Sequence, residues 1–275
     1  MTVMKRRDFL GAALAAGTAA CAGPLGRSRT GAAFGPKLPN IVLILADDLG
    51  YGDPGCNNPG SKIPMTAVNR MAARGVRFTD AHSPSAVCSP TRYGLLTGRY
   101  AWRTWLRSGV LGGYTPPLVE PDRTTTASLL RSRGYATGFF GKWHLGLTWT
   151  RMNGSAPDWR EAEKLRPGSS QDADPKTGMN ADFTKPVGGG PVDHGFDEAY
   201  FTAACSTMDG PFTFIENRRT VGLPTAQVSD FYDMTGGEEG SPRKGWIVPG
   251  FKLEDVDYRF TEKAVAFMER RRRET

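Results

Sequence analysis

The run Ile41-Val42-Leu43-Ile44-Leu45-Ala46 is continuously apolar and ends on two adjacent carboxylates, Asp47 and Asp48. Without polar alternation, such a run suits a central parallel strand buried on both faces. Elements of the other kind follow it. Thr66 to Arg74 reads as a helix with Val68, Met71 and Ala72 on one face and Gly75 as its stop. Val76-Arg77-Phe78 reads as a short strand. Cys88 opens a helix in which Pro90 falls in the first turn, where a missing N–H costs little. Thr124 to Arg133 is a further helix, stopped by Gly134, and Tyr135 to Phe140 is a strand. This alternation predicts an α/β fold, a mostly parallel sheet flanked by helices.

The rest of the chain fits one large domain with export machinery in front. With 34 Gly and 20 Pro in 275 residues, turns and long loops are favoured over a helical bundle. The formal charge of +7 is concentrated at the ends, in Lys5-Arg6-Arg7 and Arg270 to Arg273. No basic stripe with interleaved aromatics is present, which argues against a nucleic-acid partner. Residues 1–21 read as an export signal. Arg6-Arg7-Asp8-Phe9-Leu10 resembles a twin-arginine leader, an ordinary secretory signal being the alternative, and Gly11 to Ala20 is too short to span a bilayer. Thr18-Ala19-Ala20-Cys21 resembles a lipoprotein processing site, which would anchor Cys21 in a membrane; cleavage without lipidation is the other reading. The expected location is the periplasm or cell envelope of a bacterium. Residues 22–37 read as a linker and 38–275 as the folded body.

Within that body, Arg151 to Pro191 reads as a long polar excursion, either facing substrate or plain surface. Phe212 to Ile215 reads as a strand followed by a turn at Glu216-Asn217-Arg218. The last segment reads as a helix from Asp255, with Val256, Phe260, Ala264 and Phe267 on one face. Cys56 and Cys205 could pair in an oxidising compartment or stay free.

Three short segments carry candidate chemistry. Asp47 and Asp48 follow a strand, where open α/β sheets place ligands. Successive strand residues face opposite ways, so both carboxylates reach one ion only if the chain leaves extended geometry there. Two close carboxylates repel unless a cation lies between them, and their oxygens suit Ca²⁺ or, less well, Mg²⁺. In Cys88-Ser89-Pro90-Thr91-Arg92, Cys88 sits at a helix N-terminus, where free N–H groups favour negative charge. Arg92, one turn on, adds a permanent charge that matches sulfate or phosphate oxygens. In Gly141-Lys142-Trp143-His144-Leu145-Gly146, Lys142 and His144 share a face of an extended chain and Trp143 anchors the other.

Together these segments resemble the sulfatase family. Cys-Ser-Pro-Thr-Arg-Tyr-Gly-Leu-Leu-Thr-Gly-Arg, from Cys88 to Arg99, is similar to its C-x-P-x-R signature. Asp47-Asp48 resembles its opening metal motif, and Gly141 to Gly146 its third; weaker similarity runs through His194-Gly195-Phe196-Asp197 to about Asn217. The resemblance implies an arylsulfatase-like sulfuric ester hydrolase on an alkaline-phosphatase-like fold. It implies that a formylglycine-generating enzyme converts Cys88 to formylglycine, whose hydrate attacks the sulfur of a sulfate ester. It implies Ca²⁺ held by Asp47, Asp48 and residue 88, charge stabilisation by Arg92, a sulfate oxygen bound by Lys142, and a hydrogen bond from His144 to the hydrate. Ser206 falls where the family places a sulfate-site hydroxyl, and His194 at a structural position. Sulfatases complete the metal shell with a later Asp-Asn pair beyond a helix like 255–273. The resemblance therefore implies an N-terminal, C-terminally truncated part of a catalytic domain, with a missing C-terminal half as partner and little activity alone. A phosphodiester or phosphonate hydrolase sharing the C-x-P-x-R element, and a non-catalytic remnant, are the alternatives.

Overall fold

A computed structural model describes residues 38–157, 159–160, 180–230 and 245–274. The expected export signal, Cys21 and the linker lie outside the described residues, as does the middle of the excursion expected over 151–191. The chain divides into two compact units, one reaching His82 and one starting at Ser83.

Among the described residues, the first unit holds one helix, α1 (Thr66–Arg74), which stops at Gly75 as its sequence predicts. No α1 residue is fully buried; Met71 is exposed and Val68 and Ala72 are half-buried, so the face expected to pack is only partly covered. Asn69 ties α1 to the preceding loop by accepting from the Cys56 N–H at 2.7 Å. The strand expected over 41–46 is not formed. Ile44 is 77% exposed, and Ile41, Val42, Leu43 and Leu45 are exposed with it. Val76 to Phe78 likewise forms no strand. Apolarity specifies that a segment wants cover, whereas a strand also needs a neighbouring backbone to pair with. Among the described residues, none pairs with 41–46.

The second unit is built on a four-stranded sheet in the order β1 (Gly138–Lys142), β2 (Glu198–Thr202), β3 (Phe214–Glu216), β4 (Arg219–Val221). β1 and β2 run parallel, with Lys142 opposite Thr202; β2–β3 and β3–β4 are antiparallel. The α/β class is as expected, but the described sheet is mixed, because a tight turn at Asn217-Arg218 folds β3 back onto β4. Asn217 takes φ +55° there, a conformation asparagine tolerates, and its Oδ1 accepts from the Ala199 N–H at 2.8 Å. β1 starts three residues later than Tyr135, where its sequence suggested. A two-stranded ladder, β5 (Ala226–Gln227) with β6 (Trp246–Ile247), forms a second sheet, bridged at Ile247 to Phe212 just before β3.

Alternation along β1 sends Phe139 and Phe140 to opposite faces. Phe140 meets Phe267 of the last helix, α4 (Val256–Glu274), with ring centroids 5.5 Å apart. Phe260 of α4 packs edge-on to Phe214 at 5.8 Å, and Lys263 pairs with Glu216 at 2.7 Å. Phe139 faces the main core, edge-on to Trp143 at 5.4 Å, where Leu118, Leu145, Leu147, Trp149, Phe201 and Ile215 are buried.

Within the second unit, two α-helices precede β1: α2 (Cys88–Thr97) and α3 (Thr126–Ser132). α3 opens on a reciprocal cap. Thr125 Oγ1 accepts from the Ser128 N–H at 3.0 Å, and Ser128 Oγ accepts from the Thr125 N–H at 2.9 Å. The buried Thr125 hydroxyl also donates to the His194 carbonyl. Thr125→Ala removes both roles and is expected to lower the unfolding free energy by about 2 kcal/mol. A urea midpoint equal to that of the wild type would refute the cap's contribution.

Candidate active site

In the first unit, Asp47 and Asp48 lie in a turn and are exposed. The chain has left extended geometry there, as two carboxylates serving one ion require. Asp53, the next acidic residue, is used locally, accepting from the Gly50 N–H at 2.7 Å. The donors at 47 and 48 are hard oxygens and fit Ca²⁺ in kind. Two carboxylates offer at most about four of the six to eight oxygens that ion takes. Among the described residues, no three His, Cys, Asp or Glu side chains form a metal-holding group.

In the second unit, Cys88 is the first residue of α2, half-buried, with Val87 as an N-cap that supplies no side-chain bond. The first-turn N–H groups of α2 are therefore not consumed by a capping side chain. Arg92 lies one turn on, and its guanidinium donates to the Lys142 carbonyl. That bond ties α2 to the end of β1 across fifty residues of sequence. Lys142 faces Thr202 in register, and Thr202 Oγ1 shares a hydrogen bond of 2.8 Å with Ser206 Oγ. Ser206 is thus held against the strand that pairs with Lys142.

Cys205 marks how close these pieces are. Burial pushes its thiol above the usual range; Lys142 opposes that, and Asp209 and Cys88 add to it. Cys88, Lys142, Cys205 and Asp209 therefore share one electrostatic neighbourhood. Sequence reasoning offers Cys205 only as a disulfide candidate and assigns Asp209 no role. Cys56, Cys88 and Cys205 are all free thiols.

His144 departs from the expected geometry. β1 ends at Lys142, and His144 takes φ +55°, so the two side chains do not continue one strand face. The Trp143 and His144 N–H groups still donate to the Thr202 and Ala203 carbonyls, at 3.0 and 3.1 Å. The His144 ring is buried, with Nε2 against the Leu111 carbonyl. Trp143 anchors the segment as predicted. It is 1% exposed, donates from Nε1 to the Gly146 carbonyl at 3.0 Å, and stacks on His194.

The second half of the Cys88–Arg99 motif is structural. Tyr93 is fully buried, and its hydroxyl donates to Glu120 at 3.1 Å. Arg99 and Arg123 pair with the same carboxylate at 3.0 and 2.9 Å. Burial alone would raise the Glu120 pKa, but hydrogen bonds from Arg123 and Tyr93 hold it below the usual carboxylate range. This brace fixes α2, and with it the position of Cys88.

The chain matches the Sulfatase family model over residues 39–211. It is 33% identical over 262 residues to an N-acetylgalactosamine-6-O-sulfatase of Bacteroides thetaiotaomicron, across 84% of this chain and 45% of that protein. It is 48% identical over 112 residues to arylsulfatase A of Homo sapiens, across 40% of this chain and 22% of that protein. A solved structure reported with the metabolism of multiple glycosaminoglycans by Bacteroides thetaiotaomicron superimposes with a TM-score of 0.63 at 29% identity, covering 84% of this chain and 48% of that one. The chain spans less than half the length of these relatives.

Proposed function

Because the chain belongs to the sulfatase family, we propose that it contributes the nucleophile-bearing part of an arylsulfatase-like sulfuric ester hydrolase, acting on an aryl, steroid or glycan sulfate. The observation that carries this reading is the link from Arg92 to the Lys142 carbonyl. It joins the C-x-P-x-R helix to the Gly-Lys-Trp-His segment around Cys88. A thiol has no second hydroxyl with which to release a bound sulfate, so a formylglycine-generating enzyme is proposed to convert Cys88. Formylglycine supplies a hydrated aldehyde as nucleophile. Asp47 and Asp48 are proposed to hold Ca²⁺, which would supply Lewis-acid chemistry.

The remaining roles belong to the chain's own side chains. Arg92 places a permanent positive charge one turn from residue 88, where negative charge gathers on the nucleophile and the sulfuryl oxygens. Lys142 binds a sulfate oxygen as a compact point charge. Ser206, held by Thr202, offers a hydroxyl to another. His144 is proposed to accept a proton at the nucleophile. The small donor set at 47–48 supports a further reading. Oxygen donors beyond Asp47 and Asp48 complete the calcium shell, and without them residues 1–275 turn over little sulfate ester. Export to the periplasm or cell envelope, with Cys21 as a lipid anchor, is proposed from the leader.

The test is chemical. The protein is made in its native host or beside a formylglycine-generating enzyme, then labelled with an aldehyde-reactive hydrazide and mapped by mass spectrometry. Label is expected at residue 88 and at background in Cys88→Ala. Only unaltered cysteine at that position would refute the mechanism. Competing sulfate and phosphate esters separate this reading from a phosphodiester or phosphonate hydrolase. Robust aryl sulfate turnover by purified 1–275 would overturn the incomplete metal shell.

A further inference from the structure

His144 is buried, 1% exposed, and its Nε2 faces the Leu111 carbonyl. A carbonyl oxygen only accepts, so Nε2 carries the proton and Nδ1 the lone pair. The peptide that offers this carbonyl is held at its other pole as well: the Gly112 N–H donates to Thr115 Oγ1 at 2.9 Å. The preceding peptide is held too, the Leu111 N–H donating to Ser89 Oγ at 3.1 Å. Ser89 and Thr115 are both buried, at 0% and 3% exposure. Thr115 is itself fixed, its carbonyl accepting from the Leu147 N–H at 2.8 Å.

Gly112 and Gly113 follow Leu111, so the backbone there has no side chains of its own to restrict it. The two hydroxyls supply that restriction. The bond from Gly112 to Thr115 also polarises the Leu111 carbonyl and strengthens it as an acceptor. Ser89 adjoins Cys88 on α2, so the same contacts register the imidazole against the helix that carries residue 88.

We propose that Ser89 and Thr115 are positioning residues for His144: by fixing the two peptides around Leu111 they lock the imidazole in its Nε2–H form and present Nδ1 as the proton acceptor. The role given to that acceptor rests on the sulfate-ester reading of the site. The opposite tautomer would put an N–H where a lone pair is needed.

The experiment is nitrogen-15 NMR of the histidine side chains in the full chain, which has only three histidines, His82, His144 and His194. His82→Gln and His194→Gln assign the signals, recorded where His144 is neutral. In the wild type, the Nε2–H form of His144 is expected to exceed the Nδ1–H form by about tenfold or more, the worth of one carbonyl hydrogen bond. Thr115→Val keeps the shape and removes the acceptor; it is expected to lower that ratio about threefold or more. Thr115→Ser is expected to restore it, and Ser89→Ala to lower it as Thr115→Val does. A wild-type His144 that is mixed or mainly Nδ1–H overturns the proposal, whether or not any variant folds. So does an unchanged ratio in both Thr115→Val and Ser89→Ala. No ester turnover enters the measurement. Unconverted cysteine at residue 88 would sink the sulfatase reading and leave the tautomer result standing.

Discussion

Gly146→Ala is expected to lower the unfolding free energy by about 3–5 kcal/mol, among the largest effects of any single substitution in the second unit. Two costs add. Gly146 has φ +78°, a left-handed conformation that strains any residue with a Cβ. That Cβ would also lie 2.1 Å from the Pro116 carbonyl oxygen and 2.9 Å from that of Thr115, both backbone atoms with little room to yield. The segment 115–118 is bound to 145–147 by hydrogen bonds from Leu118 to Leu145 and from Leu147 to Thr115, each 2.8 Å. A shift there would disturb Thr115 and the buried Trp143, whose Nε1 donates to Gly146. Gly141 is the control. Its φ is +144°, but a Cβ there meets nothing within 4 Å, so Gly141→Ala should cost only the backbone strain, about 1–2 kcal/mol. Equal urea midpoints for the two variants would show that the close approach at Gly146 carries no weight.

Stability should fall as pH drops from 7 towards 4, by up to about 3 kcal/mol from His194 alone. Burial lowers the His194 pKa from 6.5 to about 4; Asp193, the Gly189 backbone and Glu120 pull the other way without reversing it. The sign follows from proton uptake. Between pH 6.5 and 4 the unfolded chain binds a proton that the folded ring refuses, so protonation favours unfolding. The contribution is intact above about pH 6.5 and is lost progressively below it. Carboxylates such as Glu120 also lose stabilisation in acid, so the informative quantity is the difference between wild type and His194→Gln. That difference should shift in favour of the variant as the pH falls. A difference independent of pH from 7.5 to 4.5 would show that His194 takes up its proton equally well folded and unfolded.

The helices of both units are largely legible in the amino-acid sequence. Cys88 does begin a helix, Pro90 does fall in its first turn, Gly75 does stop α1, and the terminal helix does present Phe260 and Phe267 to the sheet. Each of these depends on residues within a turn or two of one another. The run 41–46 misleads for the opposite reason. Its apolarity is local, but pairing is not, and a run without a neighbouring strand stays exposed however apolar it is. Alternation misplaces His144 because it does not extend past Lys142, where a positive φ turns the chain. Cys205 and Asp209 carry no local signal at all, since their nearness to Cys88 and Lys142 arises only when β1 and β2 pair.

By itself, then, the order of residues determined which side chains are available for chemistry and where helices start and stop, because caps, turns and helical periods are short-range. Folding in three dimensions decided which of them meet. Arg92 reaches Lys142 across fifty residues, and His144 reaches Leu111 across thirty-three. A hydrogen bond acts over about 3 Å of space and is blind to separation along the chain, so no reading of neighbours could have set the tautomer of His144 or the partner of Arg92.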